Sequence, residues 1–108
     1  MPITYHIFYS SDKAGNAIAF VEEMEQRGIA DRIRAKEGNL QYAYFTPLHD
    51  NKTVLLIDSW ANQDALDAHH ASPMMAEVAA LRETYDLHMR VERFVAAEDH
   101  TDDAFMRK

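Results

Sequence analysis

Apolar and polar residues alternate over Ile3–Tyr9. There Ile3, Tyr5, Ile7 and Tyr9 oppose Thr4, His6 and Phe8, the period of two that predicts a β-strand. Ser10-Ser11-Asp12 then offers side-chain oxygens suited to an N-cap, and the period lengthens. Ala14, Ala17, Ile18, Val21 and Met24 share one helical face through about Gln26. Gly28 interrupts this helix, and Ile29 and Ile33 continue the stripe in a shorter second piece. Glu37-Gly38-Asn39 reads as a turn, Leu40–Thr46 as a second strand, Pro47–Asn51 as a hairpin connection and Thr53–Trp60 as a third strand. Asn62 suits the cap of a short helix over Gln63–His70. Ser72-Pro73 restarts the chain as N-cap and first residue of another helix, apolar on Met75, Val78, Ala79 and Leu81. Leu87–Phe94 is the last strand. Residues 96–108 form an acidic tail with one apolar peg, Phe105-Met106, behind a single domain over residues 1–95.

Strand, helix, strand, strand, helix, strand is the ferredoxin-like βαββαβ order, an α+β fold with an antiparallel sheet and both helices on one face. The strands are apolar on both faces: Leu40, Tyr42 and Tyr44 oppose Ala43 and Phe45, and Val54, Leu56 and Trp60 oppose Leu55 and Ile57. A sheet with one wet face alternates more cleanly. Helices cover only one side, so the other is expected to meet a second copy of the chain, sheet against sheet, in a two-fold homodimer. The tail is placed to clasp that partner, although a free terminus fits it equally well.

With 108 residues, 47% of them hydrophobic and 27% charged, the chain has the size and composition of one globular domain. A formal net charge of −7 without a basic stripe disfavours nucleic acid. The absence of cysteine excludes disulfides and thiolate chemistry and suits a reducing cytoplasm. No apolar run approaches a membrane span, and no signal segment is visible, so a cytoplasmic protein without a membrane partner is expected.

The chain has no Gly-rich phosphate loop, nucleophile elbow or zinc spacing. Its candidate chemistry lies elsewhere. Asp58 sits within an apolar strand, and if buried it needs a partner or a raised pKa; Arg90 and His88 are candidate partners. His6 and His88 lie on the first and last strands, which the ferredoxin-like order places side by side. Two histidines without a companion carboxylate make a weak metal site, so no metal is expected. His69 and His70 stand about 100° apart on one helix, so the two are not expected to share a pocket.

EGNLQYAYF over residues 37–45 and VLLIDSWANQDALDAHHASP over residues 54–73 resemble the signature of the antibiotic biosynthesis monooxygenase (ABM) family, many of whose small bacterial members are labelled quinol monooxygenases. The likeness spans about Ile3 to Phe94 by element order and is specific over residues 37–73; the closing DDAFMRK also looks like the ending of several members. It implies a dimeric α+β barrel with a pocket in each subunit between sheet and helices. In better understood members a phenolic or quinol substrate is oxygenated there without a cofactor. Trp60 and His69 match the family pattern cleanly, and Tyr42 and Ser72 match it structurally. Two departures stand out: His70 and Met74 replace a usual aromatic and a usual histidine, and Ala79 falls where the haem-degrading branch carries a histidine. Haem turnover is therefore not expected.

On this resemblance His69 is the expected base. An ordinary imidazole titrates near ~6.5 and accepts protons at neutral pH. Removing a phenolic proton leaves an anion rich enough to reduce O2 directly. A solvent-facing or helix-capping role is the plainer alternative for His69. Trp60 suits stacking on a flat substrate or simple core packing. Tyr42 and Tyr44 suit either a quinol oxygen or core and interface packing. The substrate pocket is thus expected to draw on Trp60, Tyr42, Tyr44, Asp58, His6 and His88. Two other functions fit the same residues: an isomerase or tautomerase using the histidine without oxygen, and a non-catalytic small-molecule binder of the stress-response kind.

Overall fold

The computed structural model describes residues 1–97 and 104–107. The elements are β1 (Ile3–Ser10), α1 (Asn16–Gln26), α2 (Ile29–Arg34), β2 (Asn39–Phe45), β3 (Thr53–Trp60), α3 (Gln63–His70), α4 (Met74–Thr84) and β4 (His88–Val95). All three strand pairings are antiparallel, in the order β2-β3-β1-β4. This is the ferredoxin-like α+β plan, with each connecting helix broken in two.

Register decides which side chains meet. Ile3, Tyr5, Ile7 and Tyr9 pair with Trp60, Asp58, Leu56 and Val54, and Tyr42 and Tyr44 pair with Asp58 and Leu56. All of these point to the face covered by the helices, because side chains alternate along a strand. From the helices, Phe20, Met24, Ile29, Ile33, Leu66 and Val78 close over them, each at most 2% exposed. The opposite face carries Thr4, His6, Phe8, Ala43, Phe45, Leu55 and Ile57, together with Arg90, Glu92 and Phe94. Among the described residues no α-helix covers that side. Phe45 and Phe94 are 45% and 44% exposed there.

Two expected caps are not formed. Ser11 Oγ instead accepts from the Lys13 amide at 3.2 Å, making a local turn. Helix α1 begins only after Gly15, whose φ of 87° few other residues adopt. Its buried stripe runs Ala17, Phe20, Met24, with Ile18 half-buried. Ser72 does not cap α4 with its side chain; Met74 follows Pro73, and the Ser72 hydroxyl is engaged elsewhere. Asn62 does cap α3, its side chain accepting from the Ala65 amide at 2.9 Å. The peg residues Phe105 and Met106 are 90% and 59% exposed; most of the acidic tail, residues 98–103 and 108, lies outside the described residues.

Candidate active site

The site grows from the end of β3. Asp58 and Trp60, two residues apart, share the helix-covered face, and Trp60 Nε1 donates to Asp58 Oδ1 at 2.7 Å. Trp60 is wholly buried and Asp58 is 4% exposed. Burial raises the carboxyl pKa to about 6, with the tryptophan hydrogen bond and the Arg82 charge opposing the rise. The predicted partners of Asp58 are replaced. Arg90 pairs in register with Phe8, lies on the open face with its guanidinium 4.0 Å from that ring, and meets Glu92 at 3.4 Å. His88 is opposite Ser10, also on the open face. Trp60 and Arg82 take the place expected of these two.

His69 lies against the indole of Trp60, with ring centroids 4.8 Å apart and planes 21° from parallel. It is 4% exposed. Its Nδ1 is 2.8 Å from Lys36 Nζ, which also donates to Ser72 Oγ at 2.8 Å. Burial, the Lys36 charge and then His70 and Arg82 push the imidazole pKa down to about 4. At neutral pH the ring is therefore neutral, and a far weaker base than an ordinary histidine. His70 stands beside it at 5.7 Å between centroids. Both histidines line the same small cavity, against the expectation from their angular separation. They are the last two residues of α3, and the cavity sits where the chain turns into α4, so consecutive positions flank it.

That inner cavity, about 40 Å³, is lined by Tyr42, Asp58, His69, His70, Met75 and Arg82, among others. An outer one of about 350 Å³ shares Asp58, His70, Met75 and Arg82 and extends to Tyr5, Met89 and Val91. The outer volume lies within the range of small-molecule sites. Tyr42 and Tyr44 stack edge to face at 5.5 Å, and Tyr44 donates to the Tyr42 hydroxyl at 3.2 Å. Burial raises both phenol pKa values, that of Tyr42 well above its ordinary range. Only Tyr42 reaches the cavity wall. Trp60 backs Asp58 and His69 from behind the wall.

The sequence reading places two further residues in the pocket that the register removes from it. His6 pairs with Glu92 and packs on Phe94 at 4.6 Å, on the open face. His88 pairs with Ser10, four positions further along, so the two histidines are not neighbours. Among the described residues no cluster of three or more His, Cys, Asp or Glu is placed to hold a metal.

Lys36 and Arg82 are the residues the sequence reading misses. Arg82 was legible: Met75, Val78 and Arg82 fall at helical spacing on one side of α4, so a cation interrupts an apolar stripe. Its guanidinium stands 5.6 Å from the Tyr9 ring. Among the described residues it joins no ion pair. Arg82 Nε and Tyr9 Oη are both buried and have no hydrogen-bond partner among the described residues. Arg27 and Arg32, by contrast, share Glu77 at 3.0 and 3.2 Å. Lys36 carries no such signal, since it lies in a turn and reaches the site only in three dimensions.

Sheet, helix cover and the cavity between them define an α+β protein with a site of small-molecule size. The chain belongs to the antibiotic biosynthesis monooxygenase family, whose model matches residues 3–81. Its backbone is similar to SnoaB from Streptomyces nogalater, described as a cofactor-independent oxygenase: the TM-score is 0.74 at 16% identity, covering 93% of this chain and 97% of SnoaB. PA3566 from Pseudomonas aeruginosa gives 0.71 at 20% identity, over 89% and 94% of the two chains. Rv0793 from Mycobacterium tuberculosis gives 0.70 at 19%, over 94% and 100%. At these identities the likeness establishes the fold. No curated protein sequence matches this one. Among the described residues no helix is long and apolar enough to cross a membrane.

Proposed function

We propose that the protein is a cofactor-independent monooxygenase acting on a small quinol or polyphenol-like aromatic, as a homodimer that buries the open sheet faces. The observation that carries this reading is Asp58: a carboxylate common to both cavities, held by Trp60 at 2.7 Å and titrating near 6. A base poised near neutrality is what phenol deprotonation requires. Asp58 therefore takes the proton in place of His69, and Arg82, free of carboxylate partners among the described residues, neutralises the phenolate that forms. The anion then passes one electron to O2, and the radical pair combines into a C–O bond as a peroxide, which takes back the proton held by Asp58. Its O–O bond breaks, one oxygen staying on the ring carbon as a carbonyl while the other leaves as water with that carbon's hydrogen. Family membership and the fold shared with SnoaB support oxygen as the co-substrate.

Oxygen uptake with a panel of hydroquinones tests this. Asp58→Asn should lose uptake by roughly 10²- to 10⁴-fold, and wild-type uptake should climb as pH rises through about 6, where Asp58 ionises. Uptake unaffected by Asp58→Asn removes the carboxylate from its role. The paired groups Asp58 and His69, with proton affinities shifted in opposite directions, also suit a tautomerase; turnover that persists without oxygen selects that reading.

A further inference from the structure

An ammonium has three donors and no acceptor, whereas a neutral imidazole offers one of each. Lys36 Nζ stands 2.8 Å from His69 Nδ1; an ammonium there can only donate, which requires the Nδ1 lone pair and a ring proton on Nε2. The second Lys36 bond, to Ser72 Oγ at 2.8 Å, anchors the ammonium across the α3–α4 corner, and the stack on Trp60 fixes the plane of the ring. His69 has two polar edges. With Nδ1 turned to Lys36, the edge left for a molecule in the cavity it lines is Nε2–H.

We propose that Lys36 is a positioning residue that locks His69 as the Nε2–H tautomer, so that His69 meets its ligand as a hydrogen-bond donor. The ligand atom it selects is an oxygen with free lone pairs (a carbonyl, a phenolate or a reduced oxygen species). Asp58 and His69 then divide the work, one taking a proton and the other steadying negative charge as it develops on oxygen. This division rests on the oxygenase reading above; the tautomer does not.

The ring faces Lys36 from the α2–β2 turn, His70 on its own helix, Arg82 from α4 and Asp58 from β3. Long-range ¹H–¹⁵N correlation spectra of uniformly labelled protein read the tautomer and the titration together. The wild type should show protonated Nε2 and bare Nδ1 at neutral pH. Lys36→Met keeps the aliphatic stem and removes the donor. It should mix the two tautomers and move the His69 titration upward from about 4, stopping short of the ordinary ~6.5 because burial remains. In oxygen-uptake assays kcat should fall with little change in KM. A wild-type spectrum with protonated Nδ1 overturns the proposal whether or not Lys36→Met folds, and so does a Lys36→Met spectrum with tautomer and titration unchanged. If the spectra behave as expected while the wild type consumes no oxygen, the lock stands and the oxygenase reading fails.

Discussion

The two faces of the sheet are made from neighbouring residues of the same strands, yet they bury for different ends. Toward the helices, β1 and β3 present Ile7, Tyr9, Leu56, Asp58 and Trp60, and the apolar packing encloses a carboxylate, an imidazole and a guanidinium. Toward the open side the same strands present Phe8, Leu55 and Ile57, flanked by Ala43, Phe45 and Phe94, with the charged pair Arg90–Glu92 at one border. One face shifts proton affinities because burial disfavours charge. The other leaves Phe45 and Phe94 nearly half-exposed beside Thr4, His6 and the Arg90–Glu92 pair, the face that the proposed homodimer would cover. An ionisable group thus gains chemistry from position on a strand: His6 and Asp58 differ less in sequence context than in which way they point.

Removing the helix-side anchor should break this contrast most severely. Trp60→Ala empties a fully buried site and strips Asp58 of its donor; large-to-small changes of this kind cost about 3–5 kcal/mol, measurable in urea unfolding.

A pH series sharpens the contrast at lower cost to the fold. Asp58 is raised from 3.8 to about 6, so its contribution is present at low pH and lost as pH climbs through that window. His69 is lowered from 6.5 to about 4, so its contribution is present above 6.5 and lost as pH falls. In the wild type the two slopes oppose each other. Asp58→Asn should leave stability falling toward acid relative to wild type, and His69→Phe should leave it falling from about pH 4 to 6, each effect up to about 2 kcal/mol after solvent screening. Parallel curves for all three proteins would show that neither site is perturbed.

On the open face the fold should barely respond. Phe45→Glu should change monomer stability by under ~0.5 kcal/mol while sedimentation shows dimers giving way to single chains. A Phe45→Glu protein that stays dimeric would place the interface elsewhere.

Much of this was readable in the chain. β3 and α3 fall at the predicted boundaries because an apolar strand, interrupted only by Asp58 and Ser59, ends at Trp60 and a true cap, Asn62, follows it. The doubly apolar strands correspond to a face that the helices leave open, where Phe45 and Phe94 are 45% and 44% exposed. Other features were out of reach for definite reasons. β1 and β4 are not joined by a turn, so nothing local sets their register, and a shift of four positions separates His6 from His88. Ser11 and Asp12 resemble a cap, but a turn intervenes and Gly15 opens the helix. Trp60 and His69 were visible as a pair. What they do depends on Lys36, which is 33 residues from His69 along the chain, and on the depth at which Asp58 lies.

Gly38 sets one more condition. Its φ is 84°, and a methyl group there would stand 2.5 Å from the Ala65 side chain, inside any tolerable contact. Its carbonyl also accepts from the Ala61 amide at 2.8 Å, pinning the foot of α3 to the start of β2. The height at which α3 rides over the sheet is therefore set by a missing carbon atom. Substitution at position 38 would lift the helix like a shim and slide the imidazole off its indole bed, disabling the pocket from outside its own walls.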